Sequence, residues 1–124
     1  MDIDVDRPVP PTKIYEINGM RFIGVSPVQM IADKVAVVST DKVFHRIKDV
    51  VDLYYYSKVF GFEREAVLEA IRSNGKNIGD FHAFIYRAED LIHSYEKFRF
   101  EGNVTKPPFS EVYQSVRDYI KELI

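Results

Sequence analysis

A lysine and two aspartates in neighbouring parts of the chain have the types and spacing needed to bind an anionic ligand. Lys34 lies inside the otherwise apolar arc of a predicted helix, where a cleft wall would present its ammonium to an anion. Asp49 and Asp52 lie three residues apart on one face of the next predicted helix, in a charged cluster that also includes Arg46 and Lys48. Two carboxylates at this spacing can orient a neighbouring lysine or arginine, or help to hold a metal-bound phosphate.

The same residues also fit an ordinary helix surface. The stem of Lys34 can cover apolar surface while its ammonium stays in water. His45 with Asp49, and Lys48 with Asp52, have the i,i+4 separation of weak ion pairs on a solvated face. Spacing alone leaves both interpretations open. We expect Lys34→Ala to leave folding intact if the lysine is functional, and to lower the melting temperature if its stem is structural.

Three consecutive tyrosines end the second predicted helix. Tyr54 shares the apolar face of that helix, so it is expected in the core. Tyr55 or Tyr56 can stack on a nucleobase, or can simply bury its ring with the hydroxyl in water.

A short sheet and two helices must position these side chains. The segments Thr12–Ile17 and Met20–Val25 flank Asn18-Gly19, which predicts a hairpin with a type I′ turn. Ser26 is a natural N-cap and Pro27 suits the first helical position, so the first helix begins there. The second helix is predicted to run from Asp41 to Ser57.

Three more helices are predicted, at Phe62–Ser73, Asp80–Phe98 and Ser110–Ile124, the last capped by Ser110. The expected fold class is α+β, with a short N-terminal antiparallel hairpin followed by a bundle of about five helices. Asp2 to Asp6 alternates acidic and aliphatic residues, which fits either a third strand or a frayed acidic terminus. We expect a single domain, in which residues 1–25 form the sheet portion and 26–124 the helical portion.

Composition excludes several classes of function. The net charge of −2 gives no basic excess to indicate nucleic-acid binding, so a tRNA-binding role would need a local basic patch or a missing half of the enzyme. The chain contains no cysteine, which excludes disulfides and thiolate metal sites. No apolar run approaches the length of a membrane span, and the acidic start is unlike a signal peptide, so residence in the cytoplasm is expected.

Two short patterns occur in order within residues 26–56. The first is SP-x-x-M-I-A-D-K-x-A-V-V and the second is R-I-K-D-V-V-D-L-Y-Y-Y. Together they resemble the C-terminal motifs of the AbiEii/AbiGii nucleotidyltransferase toxin family, where a helix reading roughly A-x-K-x-x-A precedes one reading R-x-[KR]-D-x-x-D-L. The matching residues are Lys34, Arg46, Lys48, Asp49, Asp52 and Leu53.

The resemblance implies the fold of DNA polymerase β-like nucleotidyltransferases. Members of that family transfer a nucleotide from a triphosphate, some of them to the acceptor end of transfer RNA, and they act as toxins paired with a transcriptional antitoxin. The resemblance also implies a nucleoside triphosphate substrate, Mg²⁺ and an RNA acceptor. It assigns catalysis to Asp2, Asp4, Lys34, Asp49 and Asp52, nucleotide binding to Lys34, Arg46 and Lys48, and the metal to Asp2 and Asp4.

The chain departs from the family at its start. Such enzymes carry a glycine–serine element followed by a D-x-D strand, whereas this chain has no Gly-Ser pair. Its D-x-D run, Asp2 to Asp6, looks more like the later strand that supplies a third metal carboxylate. We therefore expect a partial or degenerate nucleotidyltransferase that begins within the catalytic domain. The alternative is a non-catalytic helical module that docks a partner, such as an antitoxin or a complementary catalytic half.

Overall fold

Two antiparallel strands are the first described elements. The computed structural model describes residues 13–17, 19–24, 26–100 and 105–124. Strand β1 is Lys13–Ile17 and strand β2 is Met20–Gly24, with a register that runs from Lys13↔Gly24 to Ile17↔Met20. Gly19 has φ of 87°, the left-handed conformation that a tight hairpin turn requires. The predicted hairpin is confirmed, while the predicted third strand at Asp2–Asp6 lies outside the described residues.

The two faces of the hairpin differ in burial. Side chains alternate between the faces of a strand, so Tyr15, Ile17 and Phe22 point towards the helices, and Ile17 and Phe22 are buried. Ile14 and Ile23 are cross-strand partners on the opposite face, and both are exposed.

The other regular elements of the described chain are helices. The helices are α1 (Pro27–Val38), a 3₁₀ helix (Asp41–His45), α2 (Ile47–Tyr56), α3 (Arg64–Ser73), α4 (His82–Tyr86), α5 (Ala88–Lys97) and α6 (Phe109–Tyr119). The predicted α+β class, a hairpin followed by a helical bundle, is confirmed. None of these helices is long and apolar enough to span a membrane.

Two predicted helices are interrupted, and both breaks fall at an arginine. Arg46 has φ −134° and ψ 46°, which separates the 3₁₀ helix from α2 within the helix predicted for Asp41–Ser57. Arg87 has φ −124° and ψ 38°, which divides the helix predicted for Asp80–Phe98 into α4 and α5. Helix α6 begins at Phe109 with Pro108 as its N-cap residue and no side-chain cap bond, so the prediction that Ser110 caps it is wrong.

Helix α2 lies at the centre of the helical part and packs against α1, α5 and α6. All of its residues except Lys48 are buried. Of the two interpretations left open for Asp49 and Asp52, a solvated helix face is therefore not supported, because α1 and strand β2 cover that face of α2. Phe22 of β2 makes edge contact with the ring of Tyr56 at a centroid distance of 5.0 Å.

One cluster of buried apolar side chains joins the hairpin to the helices. Its largest fully buried members are Tyr56, Phe81, Phe84, Ile31, Leu53, Leu91 and Ile120.

Candidate functional site

Helices α1 and α2 bring Lys34 between the two predicted carboxylates. Ser26 caps α1 by accepting a hydrogen bond from the backbone N–H of Gln29, as predicted, and Lys34 lies two turns further along. Its Nζ is 3.1 Å from Oδ1 of Asp49 and 3.0 Å from Oδ2 of Asp52. Both aspartates are buried, while the Lys34 side chain keeps 23% of its exposure. One ammonium therefore compensates two buried negative charges.

The charge state of Lys34 follows from these contacts. Burial by itself lowers the pKa of Lys34, but the negative charges of Asp52 and Asp49 outweigh burial, so the pKa is raised above its ordinary value. The lysine is fully protonated at neutral pH. A buried carboxylate is costly unless it is paired, so the cation that α1 supplies offsets part of the cost of burying Asp49 and Asp52.

Two further cations complete what we call the charge cluster, namely Lys34, Arg46, Lys48, Asp49 and Asp52. Lys48 Nζ lies 3.0 Å from both carboxylate oxygens of Asp52. Arg46 Nη2 lies 3.4 Å from Oδ2 of Asp49, an ion contact without hydrogen-bond geometry. Asp49 thus contacts Lys34 and Arg46, the N-cap residue of α2, and Asp52 contacts Lys34 and Lys48. The two buried carboxylates hold the three cations in place.

A cavity of about 470 Å³ opens beside the charge cluster, between strand β2 and helices α1 and α2. Lys34, Lys48 and Asp52 line it, together with Arg21, Phe22, Ile23, Gln29, Met30, Asp33 and Tyr56. Three of these ten lining residues are cations and two are carboxylates, so the lining carries one net positive charge. The cavity combines this positive wall with apolar surface from Phe22, Ile23 and Met30.

This arrangement can bind an anion. An ammonium has three N–H donors. Lys48 directs donors to Asp52, and Lys34 directs one to Asp49 and one to Asp52. Each lysine therefore keeps donor capacity towards the cavity. Because buried acids already hold the ammonium groups in place, little reorganisation is needed when an anion arrives.

The described carboxylates do not fit a magnesium site. Asp49 and Asp52 are already neutralised by Lys34, Arg46 and Lys48, and Mg²⁺ prefers carboxylate and water oxygens that are free to coordinate it. No group of three His, Cys, Asp or Glu residues with metal-binding geometry occurs in the part of the chain that the structure describes. The predicted metal ligands Asp2 and Asp4 lie outside that part, so their role stays a prediction.

Five predicted site residues converge, although not with every predicted partner. Lys34, Arg46, Lys48, Asp49 and Asp52 form one cluster, and the predicted pairing of Lys48 with Asp52 is confirmed. The pairing of His45 with Asp49 is wrong for the described residues, because Lys34 and Arg46 occupy that carboxylate. The cavity position of Lys34 favours the cleft interpretation over a purely solvated ammonium.

Sequence reasoning missed Arg21 as a cavity residue and did not give Tyr56 a polar role. Arg21 comes from strand β2, and no pattern in the sequence relates that strand to α2. Tyr56 could have been found, because it follows Asp52 by four residues and so lies on the same face of α2.

In comparisons with known proteins, the chain matches no family model, and no curated protein or solved structure is significantly similar to it. The resemblance to the AbiEii/AbiGii family therefore stays a prediction that rests on its two sequence motifs.

Proposed function

We propose that this chain is a partial or degenerate nucleotidyltransferase module of the AbiEii type, whose retained activity is to bind the phosphates of a nucleoside triphosphate. In this proposal Lys34 and Lys48 bind phosphate oxygens from the cavity wall, and Arg46 adds positive charge at the start of α2. Asp49 and Asp52 hold the cations in place. They are positioning residues that do not touch the substrate.

One observation carries the proposal, which is the convergence of the two motifs on a single cavity. The motifs are separate in sequence, and Lys34 is fifteen residues from Asp49. A salt bridge on a solvated surface contributes little to stability, so surface pairing alone would give no reason to bury two aspartates beneath three cations. A preorganised positive wall beside a cavity of several hundred cubic ångströms gives such a reason.

Nucleotide transfer also requires metal ligands, which the described residues do not supply. In such a transfer the acceptor hydroxyl displaces pyrophosphate from the α-phosphate, and Mg²⁺ held by carboxylate ligands would supply Lewis-acid stabilisation of the developing charge. In the proposal those ligands come from Asp2 and Asp4 or from a complementary catalytic half on another chain. RNA as the acceptor and an antitoxin as the partner belong to the same proposal.

Calorimetric titration with Mg²⁺ and each of four nucleoside triphosphates tests triphosphate binding directly. We expect at least one of them to bind with a Kd below about 1 mM. The exposed ammonium of Lys48 contributes little to folding, so Lys48→Gln should stay folded and weaken binding about tenfold. Lys97→Gln removes the same charge from α5, away from the cavity, and should leave the affinity unchanged.

A folded protein that gives no binding heat with any of the four triphosphates contradicts the proposal. That result favours the alternative, a non-catalytic helical module that docks a partner. Equal weakening by Lys48→Gln and Lys97→Gln would show a non-specific effect of net charge and would also count against the cavity as the binding site.

A further inference from the structure

The third tyrosine of the Tyr54-Tyr55-Tyr56 run reaches the cavity, although its side chain is almost completely buried. Tyr56 is 2% exposed and lines the cavity, whereas Tyr54 and Tyr55 are buried elsewhere. Tyr56 follows Asp52 by one helical turn, as Asp52 follows Lys48, so the three side chains lie in a row on one face of α2. The row ends at the tyrosine.

The ring of Tyr56 is fixed by aromatic contacts. Phe22 meets it edge to face at a centroid distance of 5.0 Å, and Phe60 does so at 5.9 Å. A ring enclosed in this way offers no free face to a nucleobase. The sequence-based hypothesis that Tyr55 or Tyr56 stacks on a base is therefore not supported, because the Tyr55 ring is also enclosed, by Phe22, Tyr54 and Phe100. What Tyr56 can offer a ligand is its hydroxyl.

The hydroxyl of Tyr56 has no hydrogen-bond partner among the described residues. The other buried or half-buried tyrosines mostly do have one, in the pairs Tyr54 with Glu111, Tyr95 with the Pro107 carbonyl, Tyr113 with the Phe84 carbonyl and Tyr119 with the Phe60 carbonyl. A hydroxyl that lines a cavity without such a partner keeps its hydrogen-bonding capacity for a ligand or for water.

The chemistry of the site makes this hydroxyl a donor. Burial, and then the negative charges of Asp52 and Asp49, raise the pKa of Tyr56 well above its ordinary value, so the phenol stays protonated at physiological pH. A protonated phenol that lines the same cavity as Lys34 and Lys48 can present an O–H to an anion bound there.

We propose that the Tyr56 hydroxyl is a ligand-binding group of the cavity, donating a hydrogen bond to a phosphate oxygen that Lys34 and Lys48 hold. This inference rests on the proposed function and adds to it a neutral donor from the buried end of α2. Tyr56 thereby joins the phosphate-binding wall as the third donor of α1 and α2.

The test compares Tyr56→Phe with Tyr55→Phe. Each variant loses one tyrosine hydroxyl, and the two substituted positions are adjacent in the chain. The probe is inorganic tripolyphosphate with Mg²⁺, followed by whichever nucleoside triphosphate binds the unmodified protein best. We expect Tyr56→Phe to raise the Kd for both ligands about tenfold, the effect of losing one hydrogen bond to a charged group. Tyr55→Phe should leave both affinities unchanged, and both variants should melt close to the unmodified protein.

The outcomes separate the two proposals. If the unmodified protein binds triphosphate and Tyr56→Phe binds equally well, the role of Tyr56 is overturned while triphosphate binding stands. If Tyr55→Phe weakens binding as much as Tyr56→Phe, the effect is one of packing, and the role of Tyr56 is again overturned. If the unmodified protein binds neither ligand, both proposals fail.

A second measurement does not depend on the Tyr56→Phe variant. In unmodified protein with tyrosines isotope-labelled at Cζ, we expect the resonance of one buried tyrosine to shift when tripolyphosphate is added. The same shifting resonance should be present in the Tyr55→Phe protein. A spectrum in which no tyrosine responds to saturating tripolyphosphate overturns the inference even if Tyr56→Phe does not fold.

Discussion

Lys34 cannot be assigned to binding or to folding alone, because its ammonium touches two buried carboxylates. Removing it leaves Asp49 with an ion contact to Arg46 and leaves Asp52 with Lys48, and both remaining cations are largely exposed. A buried charge that loses its partner is strongly destabilising. The expectation that Lys34→Ala would leave folding intact if the lysine were functional is therefore replaced, since the melting temperature does not separate the two roles.

We predict that Lys34→Met destabilises the protein by about 2 to 3 kcal/mol. Because the lysine is partly exposed, its loss should cost less stability than breaking a fully buried ion pair. Lys48→Met also removes a contact to Asp52, but its side chain is 56% exposed, so the cost should stay below about 1 kcal/mol. Denaturant unfolding measures both. Adding Asp49→Asn to Lys34→Met removes one of the uncompensated buried charges and should restore part of the loss. A double variant no more stable than Lys34→Met contradicts this account.

At the scale of elements, the segment between α3 and α4 is anchored to the end of α1 by one buried serine. Ser39 accepts a hydrogen bond from the Gly79 N–H on its Oγ at 2.8 Å, and from the Phe81 N–H on its carbonyl at 3.0 Å. Phe81 is buried with φ of 61°, a conformation that is rare for a bulky residue and is held here by these contacts. This anchor explains why the helix predicted to begin at Asp80 begins at His82 instead.

Gly79→Ala should break this anchor. A Cβ at Gly79 would lie 2.2 Å from the Ser39 carbonyl oxygen, so the backbone must move and both hydrogen bonds are weakened. We expect a loss of about 3 kcal/mol, seen as a fall of roughly 10 °C in melting temperature. Gly61→Ala is the matched control, because nothing lies within 4 Å of a Cβ there, and its melting temperature should hardly change. Equal melting temperatures for the two variants would show that Ser39 does not anchor this segment.

At the scale of the whole molecule, buried tyrosines and Lys34 should make the protein sensitive to alkali. Burial raises the pKa of Tyr95 to about 12, and the pKa values of Tyr54, Tyr55, Tyr56, Tyr119 and Lys34 are also raised. Below about pH 10 these groups are protonated in both the folded and unfolded states, so their full contribution to stability is present. Above that pH the unfolded chain loses protons that the folded protein retains, so the free energy of unfolding falls as pH rises.

We therefore predict a melting temperature that falls steeply above about pH 10, followed by circular dichroism. Tyrosinate absorbance provides the control, because the unfolded chain in guanidinium should ionise at lower pH than the folded protein. Coincident titration curves for the folded and unfolded chains would contradict the burial of these hydroxyls.

By itself, the sequence determined the features that depend on neighbouring residues. Asn18-Gly19 predicted the hairpin, Ser26-Pro27 predicted the start of α1, and the i,i+4 spacing predicted the pair of Lys48 with Asp52. Each of these follows from backbone conformation or side-chain reach within a few residues, which a linear pattern records.

The tertiary structure alone decided which charges are buried and what they contact. The face of α2 that carries Asp49, Asp52 and Tyr56 has the same helical spacing whether water or another element covers it. Its burial depends on α1 and β2, and Phe22 lies more than thirty residues from Tyr56 along the chain. A periodic pattern gives the direction in which a side chain leaves its own helix, but it does not give what lies opposite. Here α1 and β2 lie opposite, and they bury two acids that would otherwise be ordinary helix-surface residues.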